Sequence, residues 1–345
     1  MLERKIIEEM SKIRGYFEKA GGVKLIKQWA KAGVLLDAVG LFMILGHSKT
    51  ALEQLRSAVS LKIQNKLRKK FRKEIEMLHK EYDIKSHRAG DAALYNNVSE
   101  EGKSDDDNLN KTVWIFWWQG IEQAPDLVKV CYKSIEENLK DWNIVLITKD
   151  NYKQYTEIPK FITEKLDKGI ITLTHFSDIL RLDLLLRHGG LWLDATVLCT
   201  DGNIPNVILQ SDLFVYQTQK PGADGHATLM SSWCMWAKPN NFILKATQEL
   251  LSAYWKRYNY MIDYFLLHQF MTIVMKDFPE ETKRIPPYTN ENPHLLLLHF
   301  FDNYEERLWQ DWKRQSCLHK LSYKLEKKDM EKNVTFFDVI IKKTI

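Results

Sequence analysis

The sequence has few cysteines and no apolar run long enough to span a membrane. None of the four cysteines forms a CxxC pair, and their spacing does not suggest a zinc site. We therefore expect reduced, partly buried thiols of the kind that cytosolic proteins keep. The most apolar stretch, residues 32–46, is interrupted by Asp37. A membrane-spanning helix needs roughly 20 apolar residues, so this stretch predicts a buried or interfacial helix.

Several common functional signatures are also missing. The sequence contains neither a GxxxxGK[ST] phosphate loop nor a GxGxxG dinucleotide fingerprint, which argues against an ordinary kinase or dehydrogenase. Residues 1–9 are charged and have no apolar core, so they do not predict a signal peptide. We expect a cytoplasmic protein, with peripheral attachment to the inner face of the cell membrane as a further option through residues 32–46.

The composition is that of a folded protein. The chain has 345 residues, of which 45% are hydrophobic and 12% aromatic, enough to bury a sizeable core. Its formal net charge is +5. This mild excess fits an anionic small molecule or membrane surface as well as it fits nucleic acid. Of these partners we predict the small molecule, with membrane contact as an option, and no nucleic acid.

Residue patterns divide the chain into three parts. Residues 1–95 predict a helical N-terminal region, in which Ser48 or Thr50 can cap a helix that runs to about residue 80. Residues 96–110 are polar and predict a solvated linker. Beyond them, residues 111–118 and 142–148 read as buried strands separated by a helix. We therefore expect an α/β domain over residues 111–345 with a mainly parallel sheet.

Residues 174–197 contain the groups that best indicate chemistry. Asp178 and Arg181 are three residues apart in a predicted helix and share one face. In the predicted strand that follows, Trp192, Asp194 and Thr196 alternate onto one side. A carboxylate is costly to bury unpaired, so we expect Asp194 at the open end of the strand beside a cation. A bound Mg²⁺ or Mn²⁺ would stabilise the charge that develops on a diphosphate leaving group.

These residues form a recognisable pattern. The sequence reads S-D-I-L-R at 177–181 and G-G-L-W-L-D at 189–194. The pair of motifs resembles the catalytic core of the capsular polysaccharide synthesis glycosyltransferases, which are grouped near glycosyltransferase family 32. It is shared more distantly with clostridial glucosylating toxins. The similarity extends to residues 46–53, 114–120, 124–125, 131–134, 263–266 and 319–324, and it implies a GT-A fold with a DxD-type motif.

The resemblance implies a role for each matching position. The implied catalytic residues are Asp178, Arg181 and Asp194. The implied contacts to the sugar donor are Trp117 beside the nucleobase, Gln119, Ser177, Trp192, Asp263, His319, Lys320 and Lys324. The implied metal ligands, for Mn²⁺ or Mg²⁺, are Asp194, Thr196 and His319. The second acid of the DxD motif falls on Thr196, a poorer ligand than a carboxylate. Either Asp194 holds the ion with help from the C-terminal segment, or the ion is weak or dispensable.

Some of these residues have a plainer interpretation. The Asp178–Arg181 pair also fits an ordinary helix surface, and His319 also fits a satisfied loop histidine. Asp263 lies either in the cleft or at the cap of a helix over 263–276. The basic residues between Lys62 and Lys73 fit a solvated helix face as well as a membrane contact.

The predicted function is transfer of a sugar from a nucleotide-sugar donor, UDP-linked, to a capsular or other surface-polysaccharide acceptor, which is itself polymeric or lipid-linked. The resemblance suggests that the anomeric configuration is retained. One alternative is another polysaccharide-modifying transferase, for sugar phosphate or phosphocholine. The second is a non-catalytic pseudoenzyme, an alternative that Thr196 keeps open.

Overall fold

The computed structural model describes residues 22–45, 48–95, 111–218, 227–324 and 334–342. Its first helices are α1 (Gly22–Ala32), α2 (Leu35–Leu45), α3 (Lys49–Lys70) and α4 (Arg72–Tyr95). Ser48 caps α3, because its side chain accepts a hydrogen bond from the amide of Ala51 at 3.1 Å. This bond decides between the two predicted caps. Residues 1–21 of the predicted helical region and the predicted linker over 96–110 lie outside the described residues.

The remaining elements alternate between strands and helices. They begin with β1 (Thr112–Phe116), α5 (Asp126–Asn138), β2 (Asn143–Ile147), α6 (Tyr152–Tyr155), α7 (Lys160–Asp167), α8 (Leu173–His188), β3 (Gly190–Leu193) and β4 (Val197–Cys199). They continue with α9 (Asn206–Leu209), β5 (Leu213–Gln217), β6 (Met230–Ala237), α10 (Phe242–Arg257), α11 (Leu266–Asp277), α12 (Pro279–Lys283), α13 (Leu295–Leu298), α14 (Glu306–Gln315) and β7 (Leu318–Lys320). Strands β1 and β2 confirm the two predicted strands.

The main sheet has five strands in the order β2-β1-β3-β6-β5. Strand β1 is parallel to β2 and β3, while β6 is antiparallel to both β3 and β5. All strands except β6 therefore point the same way, which confirms the predicted mixed, mainly parallel α/β sheet. Strands β4 and β7 form a separate antiparallel pair. This pair lies beyond the carboxyl end of β3.

The close approach of β1 and β3 depends on Gly190. Its φ is +96°, and a Cβ atom there would lie 2.5 Å from the carbonyl oxygen of Thr112. A larger residue would therefore clash with β1 as well as strain its own backbone.

The strand predicted across residues 191–197 is two strands separated by a turn. The amide of Val197 donates to the carbonyl of Asp194 at 3.0 Å, and the amide of Asp194 donates to the carbonyl of Trp233 at 2.8 Å. Asp194 therefore leaves the sheet at its carboxyl end. This break follows from the cost of burying a carboxylate inside an apolar strand.

The N-terminal helices pack onto α10 and α11. Phe71 is fully buried, and its ring meets that of Phe270 edge-on with centroids 5.2 Å apart. Nε2 of Gln64 donates to Oε1 of Gln269 at 3.0 Å, and Lys276 donates to Oε1 of Gln64 at 2.7 Å. Buried polar groups need such partners. Residues of α2, α3, α8, α10 and α11 consequently share one hydrophobic core.

Two sequence expectations concern whole-chain features. All four cysteines are free thiols, three of them buried, as expected. Burial raises the pKa of Cys131 to about 12, so this thiol stays protonated and inert. No helix in the described ranges combines the length and apolar composition needed to cross a bilayer.

Candidate active site

Charged side chains from three parts of the chain meet at the carboxyl end of β3. Asp178 and Arg181 come from α8, Asp194 follows β3, and Lys320 ends β7. The antiparallel pairing of β7 with β4 sets Lys320 opposite Val197. Ligands of open α/β sheets bind outside the carboxyl ends of the strands, so this cluster lies where a substrate site is expected.

The Arg181 guanidinium connects the two carboxylates of the cluster. Its Nη1 donates to Oδ1 of Asp178 at 2.6 Å, and its Nη2 donates to Oδ1 of Asp194 at 3.2 Å. Nε1 of Trp192 donates to the same Asp194 oxygen at 3.0 Å. Arg181 is 3% exposed, so the Asp178–Arg181 pair is a buried contact and not a solvated helix surface.

Lys320 holds the other oxygen of Asp194. Its Nζ lies 3.2 Å from Oδ2 of Asp194 and donates to Oγ1 of Thr196 at 2.6 Å. Burial alone would raise the pKa of Asp194, but the charges of Lys320 and Arg181 outweigh it and lower that pKa. Asp194 is therefore ionised and bound to two cations.

His175 contacts the carboxylate of Asp178. Its Nδ1 lies 3.3 Å from Oδ2 of Asp178, and its Nε2 accepts a hydrogen bond from Nε1 of Trp255 at 2.9 Å. Because Nε2 accepts, the neutral ring has its proton on Nδ1 and donates it to Asp178. Burial opposes ionisation of Asp178, yet the bond from His175 and the charge of Arg181 lower its pKa to about 2. The sequence analysis gave His175 no role, although its i, i+3 spacing from Asp178 could have revealed it.

Helix α11 and the turn before it bring two more residues to the cluster. Nδ1 of His268 is buried without a hydrogen-bond partner among the described residues. Burial lowers the pKa of His268 to about 4, although Asp178 and Asp194 partly oppose this shift. The ring is therefore neutral at pH 7. Burial, followed by the charges of the same two carboxylates, raises the pKa of Tyr264. No local pattern in the sequence indicates His268, whereas Tyr264 lies within the matching stretch 263–266 but was given no role.

The residues predicted beside the nucleobase lie next to the C-terminal segment. Trp117 directly follows β1, and its ring meets that of Tyr323 edge-on at 5.7 Å between centroids. Its Nε1 is buried and has no hydrogen-bond partner within the described ranges. Gln119 is exposed, and Nζ of Lys324 lies 5.6 Å from the centre of the Tyr323 ring. The structure thus brings together the two segments that were predicted to bind the donor, the end of β1 and the C-terminal segment.

Ser177 and Asp263 make local contacts. The Ser177 hydroxyl donates to the carbonyl of Thr174 at 2.7 Å, while Thr172 caps α8. Asp263 precedes α11, which begins at Leu266, and it is not the cap of a helix over 263–276. Its Oδ1 accepts from the amide of Phe265 at 3.0 Å and its Oδ2 from Nε2 of Gln269 at 2.9 Å.

His319 points away from Lys320, because side chains alternate along a strand. Its Nε2 lies 3.3 Å from Oγ1 of Thr200, and its ring lies 5.1 Å from that of Trp309. Burial lowers the pKa of His319 to about 4. The structure therefore does not bring His319 together with Asp194 and Thr196.

The side chains at the predicted metal position do not fit a divalent ion in this arrangement. Both oxygens of Asp194 already contact N–H donors, and Lys320 also donates to the Thr196 hydroxyl. Mg²⁺ and Mn²⁺ need several free oxygen ligands. Within the described ranges, no three His, Cys, Asp or Glu side chains form a group that could hold a metal.

Comparison with known proteins gives one family match and a distant structural similarity. Residues 48–340 match the family model described as capsular polysaccharide synthesis protein. The chain belongs to the capsular polysaccharide synthesis family. This match confirms the resemblance and covers both the cluster and helices α3 and α4. A solved structure described as PaToxG Glycosyltransferase is 17% identical, with a TM-score of 0.35 over 51% of this chain and 73% of that chain. No curated protein matches the sequence.

Proposed function

We propose that this capsular polysaccharide synthesis protein is a GT-A-type glycosyltransferase. It moves a sugar from a nucleotide-sugar donor, UDP-linked, to a surface-polysaccharide acceptor. The observation that carries the proposal is the chain of contacts Arg181–Asp194–Lys320 at the carboxyl end of β3. Two cations held there by a carboxylate are preorganised to meet a diphosphate, and such fixed charges need no reorganisation when the leaving group forms.

In this proposal, each neighbouring residue contacts a different part of the nucleotide-sugar donor. Trp117 lies beside the nucleobase, Arg181 and Asp178 contact the sugar and its phosphate, and Lys324 approaches the diphosphate from the C-terminal segment. Asp178 stays ionised at neutral pH, because its pKa is about 2. It therefore accepts hydrogen bonds from sugar hydroxyls and does not act as a general acid.

Retention of the anomeric configuration follows from a front-face route. The leaving phosphate oxygen takes the proton of the acceptor hydroxyl on the same face of the sugar, so no enzyme nucleophile is needed. The protein then contributes positioning and charge stabilisation.

A panel of nucleotide sugars tests the proposal. The purified protein is incubated with UDP-, GDP-, dTDP- and CMP-linked sugars, with and without Mn²⁺, and both thermal stabilisation and the released nucleotide are measured. Release of a nucleoside diphosphate from a diphosphate-linked sugar supports glycosyl transfer. Release of a nucleoside monophosphate from such a donor, or of CMP from added CDP-choline, favours the sugar-phosphate or phosphocholine alternative. Absence of any binding favours the pseudoenzyme. The two Mn²⁺ arms test the predicted metal.

We also propose that the protein attaches reversibly to an anionic membrane through α2. Leu36, Met43 and Ile44 of this short helix are 87%, 78% and 81% exposed. Lys62 of α3 forms an ion pair with Asp37, which places the basic helix beside this apolar surface. Apolar side chains next to cations are typical of interfacial helices, and a lipid-linked acceptor would be presented at such a surface.

A further inference from the structure

The Lys320 ammonium occupies the position between the two residues that align with the DxD motif. It lies 3.2 Å from Oδ2 of Asp194 and 2.6 Å from Oγ1 of Thr196. Only 20% of its side chain is exposed. The β4–β7 pairing fixes this position, since it sets Lys320 opposite Val197, the residue after Thr196.

An ammonium and a divalent ion exclude each other here. A bound Mg²⁺ or Mn²⁺ lies about 2.0–2.2 Å from its oxygen ligands, so it would need the same oxygens of Asp194 and Thr196 that Lys320 contacts. Oδ1 of Asp194 offers no alternative, because Arg181 and Trp192 donate to it. A threonine hydroxyl also cannot supply the negative charge of the missing second carboxylate.

Lys320 retains an unused donor for a ligand. An ammonium has three N–H bonds, and Asp194 and Thr196 take two of them. No third acceptor for Lys320 is present among the residues that the structure describes. The remaining N–H can therefore bind a phosphate oxygen while the other two hold the side chain in place.

We propose that Lys320 replaces the divalent cation that the resemblance implies, so that this glycosyltransferase works without a metal. This inference rests on the proposed function. The bond between the anomeric carbon and the oxygen of the β-phosphate breaks, and its electron pair stays on that oxygen. The Lys320 ammonium stabilises the charge that forms there. The acceptor hydroxyl oxygen bonds to the anomeric carbon, and its proton passes to the leaving diphosphate.

The first test compares the wild-type protein in EDTA and in Mn²⁺. Turnover of the nucleotide sugar identified by the panel, and calorimetric binding of its nucleoside diphosphate, should be the same in both buffers. Lys320→Met should lower turnover by roughly 10²–10³-fold, the scale for losing one preorganised charge stabiliser. Lys320→Arg should retain part of it. Lys238→Met is the matched control, since that exposed lysine pairs with Asp212 at the amino end of β5, whereas the Asp194 cluster lies at the carboxyl end of β3.

The second test restores the motif. The double variant Thr196→Asp with Lys320→Met places two carboxylates in the turn and removes the ammonium, so Mn²⁺ should now raise its turnover and its diphosphate affinity. Wild-type protein that binds or turns over donor only with Mn²⁺ would overturn the inference and leave the proposed function standing. Protein that binds no nucleotide sugar and no nucleoside diphosphate in either buffer would overturn both.

Discussion

The Arg181 guanidinium lies over the Trp192 ring, with its Cζ 4.7 Å from the ring centre. The two residues come from α8 and β3, so this contact joins the helix to the strand that delivers Asp194. A planar guanidinium can stack on the indole and still bond two carboxylates, whereas an ammonium can do only part of this.

We expect Arg181→Lys to be almost as harmful as Arg181→Ala. Lysine keeps the charge but loses the fork that reaches both Asp178 and Asp194. Donor affinity and turnover should both fall, measured by calorimetry and nucleoside diphosphate release. The control is Arg187→Lys, on the same helix but paired with Glu157 and Asp183. Wild-type affinity and rate in Arg181→Lys would mean that the pair is purely structural.

Asp194→Asn should leave the fold intact and lower turnover by roughly 10²–10³-fold. The amide is the same size as the carboxylate but no longer holds Arg181 and Lys320 by charge. Circular dichroism and thermal unfolding check the fold, and donor hydrolysis measures the rate. The control is Asp212→Asn, at an exposed carboxylate that pairs with Lys238, and it should keep wild-type turnover. Near-normal turnover in Asp194→Asn would contradict the assignment.

His319 should make the fold sensitive to mild acid. Burial lowers its pKa from 6.5 to about 4, so between these values the unfolded chain binds the proton more tightly than the folded one. The contribution of neutral His319 to the free energy of unfolding is therefore fully present above about pH 6.5 and is lost as the pH falls towards 4. At about pH 5 the loss due to His319 is roughly 2 kcal/mol.

Urea unfolding at neutral pH and near pH 5 measures this loss. His319→Gln cannot titrate, so its free energy of unfolding should decrease less than that of the wild type over the same interval. The lowered pKa of His268 acts in the same direction in both proteins and cancels in the comparison. Equal decreases in the two proteins would show that His319 is not the titrating group.

Liposome flotation tests the membrane proposal. The protein should float with anionic vesicles at low salt, less at high salt, and poorly with neutral vesicles, because salt screens the cationic contribution. Leu36→Gln with Met43→Gln and Ile44→Gln should weaken flotation through the apolar surface. Replacing Lys66, Lys69, Lys70 and Lys73 by Gln should weaken it through charge.

Neither set of changes should alter donor hydrolysis, because the contacts that the structure gives these side chains, such as Lys66 with Gly33 and Lys70 with Tyr258, do not involve the Asp194 cluster. Lys66 also donates to the carbonyl of Gly33, so the stability of the lysine variant is checked first. Wild-type protein that never floats with anionic vesicles would mean that α2 and α3 are not a membrane-binding surface.

The sequence alone determined the local parts of this protein. The strands β1 and β2, a helix cap at Ser48 or Thr50, and the facing pair Asp178 and Arg181 follow from short-range periodicity and capping chemistry, and the structure chose Ser48 as the cap. The carboxylate of Asp194 also indicated an open strand end, since burial inside the sheet would be costly.

The tertiary structure decided how distant segments meet. The β4–β7 pairing brings Lys320 to Asp194 and Thr196 and turns His319 away, and the packing of α11 adds His268 to the cluster. These contacts join residues far apart in the chain, and no local periodicity encodes their register. The turn at residues 194–196 likewise depends on a hydrogen bond to Trp233 in β6. Asp178, Arg181 and Asp194 were therefore predictable from the sequence, whereas the contacts of Asp194 with Arg181 and Lys320 were set by long-range strand and helix packing.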